Sequence, residues 1–391
     1  MSRGGTLSTS PPARGTRPAN RRDLILVAAT DLFATRGYEN VNVADVADRV
    51  AVGPSALYRH FRGKESLLEA VVERAGDSLL EAAGGSGADL VACLRALAGA
   101  SLDNRSLGVL WRREARHLPT GPRERLEDRV GEVRRRLAER IRALRPADSD
   151  PDQRLVLIAV LGVLLSPSFH RVERPRERFV GLLAEAALNV LHAPGSELPP
   201  VTAPRPGRSL GRSVRREVVL RVALDLFAEK SYAAVGMNDI AAAAGLATST
   251  VYLDFPGKAD LLATALHRGN GYLQVELDRA LDEASDESEA LCRLVASYCR
   301  FAFAHSALVD LLITETRTLP EPDRLAITQA QRDYVQEWAR LYRTVRPELD
   351  DAASTVVVQA ILQLMNDLAR AGGDHVEGTA RRLAVAGLLG S

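Results

Sequence analysis

One stretch of this chain occurs twice. Arg21–Leu68, RRDLILVAATDLFATRGYENVNVADVADRVAVGPSALYRHFRGKESLL, aligns without a gap on Arg215–Leu262, RREVVLRVALDLFAEKSYAAVGMNDIAAAAGLATSTVYLDFPGKADLL. The offset is a constant 194, and 19 of the 48 positions are identical. Among them are Leu32-Phe33-Ala34 with Leu226-Phe227-Ala228, Tyr38 with Tyr232, Tyr58 with Tyr252, Phe61 with Phe255 and Gly63-Lys64 with Gly257-Lys258. A repeat this long at half the chain's length implies a duplicated domain, so 391 residues divide into two units. A weaker echo lies beyond it: Leu110–Pro119, LWRREARHLP, matches Leu311–Pro320, LLITETRTLP, placing Glu114 on Glu315 and Arg116 on Arg317.

The segments between the repeats keep apolar residues at helical spacing and contain few alternating β-branched runs, so an all-α chain is expected. Net charge is +1, so any case for a nucleic-acid partner rests on where the charges sit. Cys93, Cys292 and Cys299 form no CxxC pair, and two cysteines seven apart on one helix lie about 10 Å apart, beyond disulfide reach. Reduced thiols, no apolar signal core and no apolar run long enough for a bilayer together suggest a cytoplasmic protein with no membrane partner.

In chain order, residues 1–20 read as a disordered basic arm that includes Arg14 and Arg17, free of acidic residues. Helices are expected over about 22–35, 43–50 and 54–61, with Gly37 as a left-handed stop, Asn42 and Asp45 as a capping box, and Pro54 at a first helical position. Two short helices across a tight turn, behind a longer one, make a helix-turn-helix over 21–68. A helical domain follows over 69–192, interrupted at Gly84–Gly87 by what reads as a flexible connection. A Pro-rich linker spans 193–212, a second helix-turn-helix 213–262 and a second helical domain 263–391.

The pattern of Leu-Phe, Gly-Tyr, an acid on the second helix, Tyr-x-His-Phe and a following Lys, complete in the first copy and repeated in the second with Ser231 for the Gly and Asp254 for the His, resembles the TetR/AcrR family of bacterial transcriptional regulators. Two copies in one chain resemble the family's tandem actinobacterial members, among them a repressor of a mammalian-cell-entry lipid-import operon. The resemblance implies two tandem units, each a DNA-binding helix-turn-helix plus a helical ligand-sensing domain, packed as an intramolecular pseudo-dimer. The last two helices of each half, about 152–192 and 351–389, would form the four-helix seam.

It also implies double-stranded operator DNA as partner. Asn42, Pro54, Ser55, Ala56, Tyr58, Arg59, His60 and Lys64 are the expected contacts in the first head; Asn238, Thr248, Ser249, Thr250, Tyr252 and Lys258 are those in the second. Each lysine would clamp a phosphate. The copies differ where Leu253-Asp254 replaces Arg59-His60; a carboxylate there would repel phosphate, so the second head should be weaker and the operator asymmetric. Ala51 stands at the turn glycine, where a left-handed backbone would cost about 1 kcal/mol, and Ser231 replaces Gly37.

A small effector, fatty-acyl or sterol-derived by resemblance, would occupy pockets lined by Leu110, Trp111, Leu161, Leu164 and Phe169 in one copy and by Phe301, Leu312, Trp338 and Leu362 in the other. All of these read equally well as core. No cofactor or metal is expected, and the absence of HExxH, a phosphate loop or a nucleophile motif argues against an enzyme. The alternative is a single active head, with the second half serving as sensor or interaction module.

Overall fold

A computed structural model describes residues 21–85, 89–114, 117–194, 214–373 and 376–390. The N-terminal arm, Arg116 and nearly all of the Pro-rich linker lie outside the described residues. Among the described residues there are eighteen α-helices, two 3-10 turns and no strand.

Copy one comprises α1 (Arg21–Arg36), α2 (Val43–Arg49), α3 (Pro54–Tyr58), α4 (Lys64–Gly84), α5 (Leu90–Asp103), α6 (Leu107–Glu114), α7 (Thr120–Leu144), α8 (Asp150–Leu165) and α9 (Arg176–Leu191). Copy two repeats the order: α10 (Arg215–Lys230), α11 (Met237–Ala243), α12 (Thr248–Asp254), α13 (Lys258–Glu283), α14 (Glu287–Ala304), α15 (Ser306–Glu315), α16 (Glu321–Val345), α17 (Asp351–Ala371) and α18 (Val376–Leu389). From the C-terminal part of α5 onward the copies align at an offset of 201, which the paired ends of α5 with α14 and the paired limits of α7 with α16 show directly.

One expected helix ends early. α3 stops at Tyr58 rather than Phe61, because the Phe61 and His60 N–H groups both fold back on the Leu57 carbonyl, turning Phe61 into the core.

Three cores result. Each head has its own, centred on fully buried Phe33 and Leu57 in copy one and on Phe227, Val251 and Phe255 in copy two. The third is continuous across both helical domains. Its centre is a seam in which α8 packs on α17 and α9 on α18, with α8–α18 and α9–α17 closing the square. The starts of the central pair are capped: Ser149 Oγ accepts from the Asp152 N–H (3.3 Å), and Asp350 Oδ1 accepts from Ala353 (2.8 Å). α17 is buried almost all round between the two copies, with Ser354, Gln363 and Asn366 among its apolar residues. It is long and apolar enough to cross a membrane, yet most of it is buried inside the protein.

Closest approach comes at Gly162, where a Cβ would lie 2.9 Å from the Leu364 Cα. Polar contacts join the copies at the rim: Arg346 meets Glu185 (3.0 Å), and Arg174 pairs with Asp350. All three cysteines are free thiols, Cys93 and Cys299 buried and Cys292 half-buried.

Candidate nucleic-acid interface

In both heads a buried aliphatic residue anchors the third helix, Leu57 or Val251, and everything flanking it points outward. Ser55, Tyr58, Arg59 and His60 are exposed, with Ala56 half-buried. Tyr58 is 55% and Tyr252 51% exposed, so neither phenol is spent on packing and both can reach a partner. Ser249 and Asn238 are exposed, Thr248 and Thr250 half-buried.

The turn that sets each third helix has the left-handed residue the sequence suggests: φ is +54° at Ala51 and +68° at Gly245. The following N–H closes the same ring in each copy, Val52 to the Ala47 carbonyl (3.0 Å) and Leu246 to Ala241 (2.9 Å). Asn42 completes a reciprocal cap, accepting from the Asp45 N–H (2.8 Å) while its own N–H donates to the Asp45 carboxylate (2.7 Å). Its side-chain oxygen is therefore committed to the helix start.

The two lysines do more inside the protein than the sequence suggests. Lys258 Nζ donates to the carbonyls of Tyr232 (2.9 Å), Val235 (3.1 Å) and Ala233 (3.3 Å) and lies over the Tyr232 ring (4.6 Å). All three ammonium donors thus cap the turn after α10. Lys64 stands 4.2 Å from the Tyr38 ring centre and donates to the Glu39 carbonyl (3.3 Å). These lysines tie the start of α4 and α13 to the end of the first helix of their head.

Asp254 is not a bare negative charge. Arg215 grips it with two hydrogen bonds (2.6 and 2.8 Å), and Arg216 donates to its backbone carbonyl (2.6 Å). The Arg215 guanidinium holds its carboxyl below the usual range, so it is ionised and neutralised in place. Asp254 therefore does not stand as the unpaired carboxylate that the sequence suggests, because Arg215 is bound to it. The neighbouring Leu253, 80% exposed, puts an apolar side chain where copy one has Arg59. Arg22 and Arg216 lie over the Phe61 and Phe255 rings (5.5 and 4.2 Å).

The echoed motif turns out to be the joint between head and body. Leu110, Leu118 and Leu126 enter the first head's core; their counterparts at +201, Leu311, Leu319 and Ile327, enter the second's. Buried Glu114 faces His117 (3.6 Å), whose ring stacks on Tyr38 (4.8 Å). Burial, then the charges of Glu65, Glu39 and Glu114, pushes the Tyr38 phenol up, and burial raises Tyr232 likewise. From copy two, Arg317 Nη1 donates to the Ala34 carbonyl (3.0 Å), reaching the end of α1 in the opposite head.

Two adjoining spaces lie beside this joint. One is an open cleft of about 1030 Å³ between the copies, bounded by α6, α7, α8, α15, α17 and the end of α10 with Ser231. Ser231 there has φ +73° and ψ 150°, a region that favours glycine. The other is a narrower, chiefly apolar cavity of about 130 Å³ within copy one. Trp111 and Leu161 line both, Phe169 the cleft and Leu164 the cavity. The other expected pocket residues line neither of these two spaces. Leu110 serves the joint; Phe301, Trp338 and Leu362 are buried in the shared core; Leu312 packs on the second head. Among the described residues no cluster of His, Cys, Asp or Glu is placed to hold a metal.

Comparison with known proteins agrees with this anatomy. The family model for bacterial regulatory proteins of the tetR family matches residues 25–71 and again 219–265, and that for the tetracyclin repressor-like C-terminal domain matches 284–370. The chain is similar to the HTH-type transcriptional activator FasR of Mycolicibacterium smegmatis, 39% identical over 75 residues, 18% of this chain and 34% of that protein. It is also similar to the HTH-type transcriptional repressor Rv3405c of Mycobacterium tuberculosis, 34% identical over 162 residues, 40% of this chain and 78% of that one. Among solved structures, that of the ketosteroid transcriptional regulator KstR2 of Mycobacterium tuberculosis superposes with a TM-score of 0.40 at 21% identity, covering 46% of this chain and 95% of that one. The matched stretch thus spans about a third of FasR and most of Rv3405c.

Proposed function

This chain belongs to the TetR family of bacterial helix-turn-helix transcriptional regulators, and from that premise we propose that one chain binds one operator through two unequal heads, repressing until a lipophilic effector binds. Recognition helices of paired heads enter successive major grooves about 34 Å apart. Here the intramolecular seam supplies the pairing that other regulators obtain from a second subunit. The observation that carries the reading is the matched exposure of Tyr58 and Tyr252 on otherwise anchored helices. Asymmetry follows from chemistry: head one offers Arg59 and His60, head two Leu253 and an Asp254 that occupies Arg215. Its half-site is therefore read with fewer phosphate contacts and more apolar contact, as to a thymine methyl.

Effector control would act at the joint. A molecule in the space bounded by Trp111, Leu161 and the end of α10 would favour a head spacing that no longer fits the grooves. The exposed positions recommend a direct test, DNA binding across a salt series with Tyr58→Ala and Tyr252→Ala. Both should weaken binding, Tyr58→Ala the more.

A second reading is favoured by the committed cations of copy two, Arg215 and Lys258: only head one reads DNA, and copy two serves as its rigid partner. Unchanged affinity and salt slope in Tyr252→Ala would select it.

A further inference from the structure

The two helical domains share a fold but not an interior. In copy one, Leu97 and Val133 line the enclosed cavity, and Ser101, only 3% exposed, presents to it a hydroxyl with no hydrogen-bond partner. A buried hydroxyl without a partner costs free energy unless something completes it. In copy two the residues at +201 are Tyr298 for Leu97, Tyr334 for Val133 and Ala302 for Ser101. Tyr298 and Tyr334 are buried with ring centres 6.3 Å apart, and both pack on Trp338 (6.3 and 6.0 Å). The Tyr298 hydroxyl donates to Asn366 Oδ1 (2.9 Å). Copy two has filled the equivalent space with aromatic rings, where the Tyr334 hydroxyl and Trp338 Nε1 are themselves buried without a hydrogen-bond partner.

The mouth differs in the same sense. Trp111 and Arg134 border both the cavity and the inter-copy cleft, so the two spaces adjoin across these side chains. Arg134 and Arg154 are exposed there and have no carboxylate partner among the described residues. Six cationic side chains line the cleft against four carboxylates, and two of those, Asp310 and Asp367, are held by Arg370 and Arg112. The counterpart of Arg134 in copy two is Val335, which is buried.

We propose that the chain binds one amphipathic anion, an acyl chain ending in a carboxylate or similar group, in copy one alone. Its apolar body passes Trp111 towards Ser101, and its anionic end meets Arg134 and Arg154; copy two is a plugged half that senses nothing. The proposal deepens the regulatory reading by naming the effector's chemistry and its single site, and its test involves no DNA, so either idea can fail without the other.

The test is calorimetric titration of the full chain with dodecanoate below its micelle concentration, compared with neutral methyl dodecanoate. Expected are one dodecanoate per chain and weaker binding of the ester. Leu97→Tyr combined with Val133→Tyr, which writes copy two's plug into copy one, should abolish binding with helix content retained. Arg134→Glu, at an exposed position that folding does not need, should weaken dodecanoate by about tenfold or more, the scale of losing one hydrogen bond to a charged group. Two molecules per chain, no binding, equal binding of the ester, or unchanged affinity in Arg134→Glu would overturn the proposal.

Discussion

Leu253→Arg combined with Asp254→His rewrites the end of the second recognition helix as that of the first, and the structure sets the size of the effect. Leu253 is 80% exposed, so a longer polar side chain displaces nothing. Removing the Asp254 carboxylate releases Arg215 from two hydrogen bonds. Two cations therefore become available to phosphates, one introduced and one freed. Each neutralised phosphate adds about 0.9 to the slope of log affinity against log salt, so the slope should steepen by about 1.8. Between 50 and 200 mM salt that amounts to roughly tenfold more affinity lost than in the parent, starting from tighter binding at the low end. Fluorescence anisotropy of a labelled operator, obtained by selection from a randomised library, measures both slopes. Asp254→Asn alone should give about half the change. An unaltered slope in the double substitution would refute the reasoning, because it would mean that this helix end does not face the DNA backbone.

Three further predictions concern stability. Ser231→Gly should stabilise the protein in urea denaturation by about 1–2 kcal/mol, and Ala51→Gly by less, since φ +73° with ψ 150° is costlier for a side chain than the ordinary left-handed region. Gly162→Ala should destabilise it by about 1–3 kcal/mol because its Cβ would press on the α17 backbone; Gly131→Ala, which meets nothing, should stabilise by up to about 1 kcal/mol. His170 is held down to about 3 by burial, then by Arg105 and Arg171. The unfolded chain binds its proton below about pH 6.5 and the folded one does not, so stability falls on acidification through that window, by about 2 kcal/mol at pH 5. His170→Asn, which keeps an acceptor for the Val172 N–H, should flatten that limb of the pH–stability curve.

The heads were legible because duplication displays its own constraints: positions alike in both copies are those the helix-turn-helix needs, and the left-handed turn at Ala51 follows from Gly245 opposite it. The helices of the seam were equally legible, since α8 and α17 carry apolar residues on every face. What could not be read is long-range polar pairing. Arg215 meets Asp254 across 39 residues, and Lys258 caps carbonyls 23 to 26 residues earlier, only because the head folds α10 back beside α12. The place of Leu110 in the echoed motif marks a part both copies must keep, which suits a joint more than a diverging pocket. The plug in copy two also lay in plain view as Tyr298, Tyr334 and Trp338, but its meaning depends on knowing which side chains of copy one face empty space.

The central claim is that one chain is a complete reader of one operator. The direct measurement is the mass of the complex with a single operator duplex by light scattering, repeated with Tyr58→Ala and Tyr252→Ala. One chain per duplex is expected, with affinity lowered by either substitution and the stoichiometry unchanged. Two chains on one duplex, with Tyr252→Ala silent, would contradict it and make copy one's head the reader and a second molecule its partner.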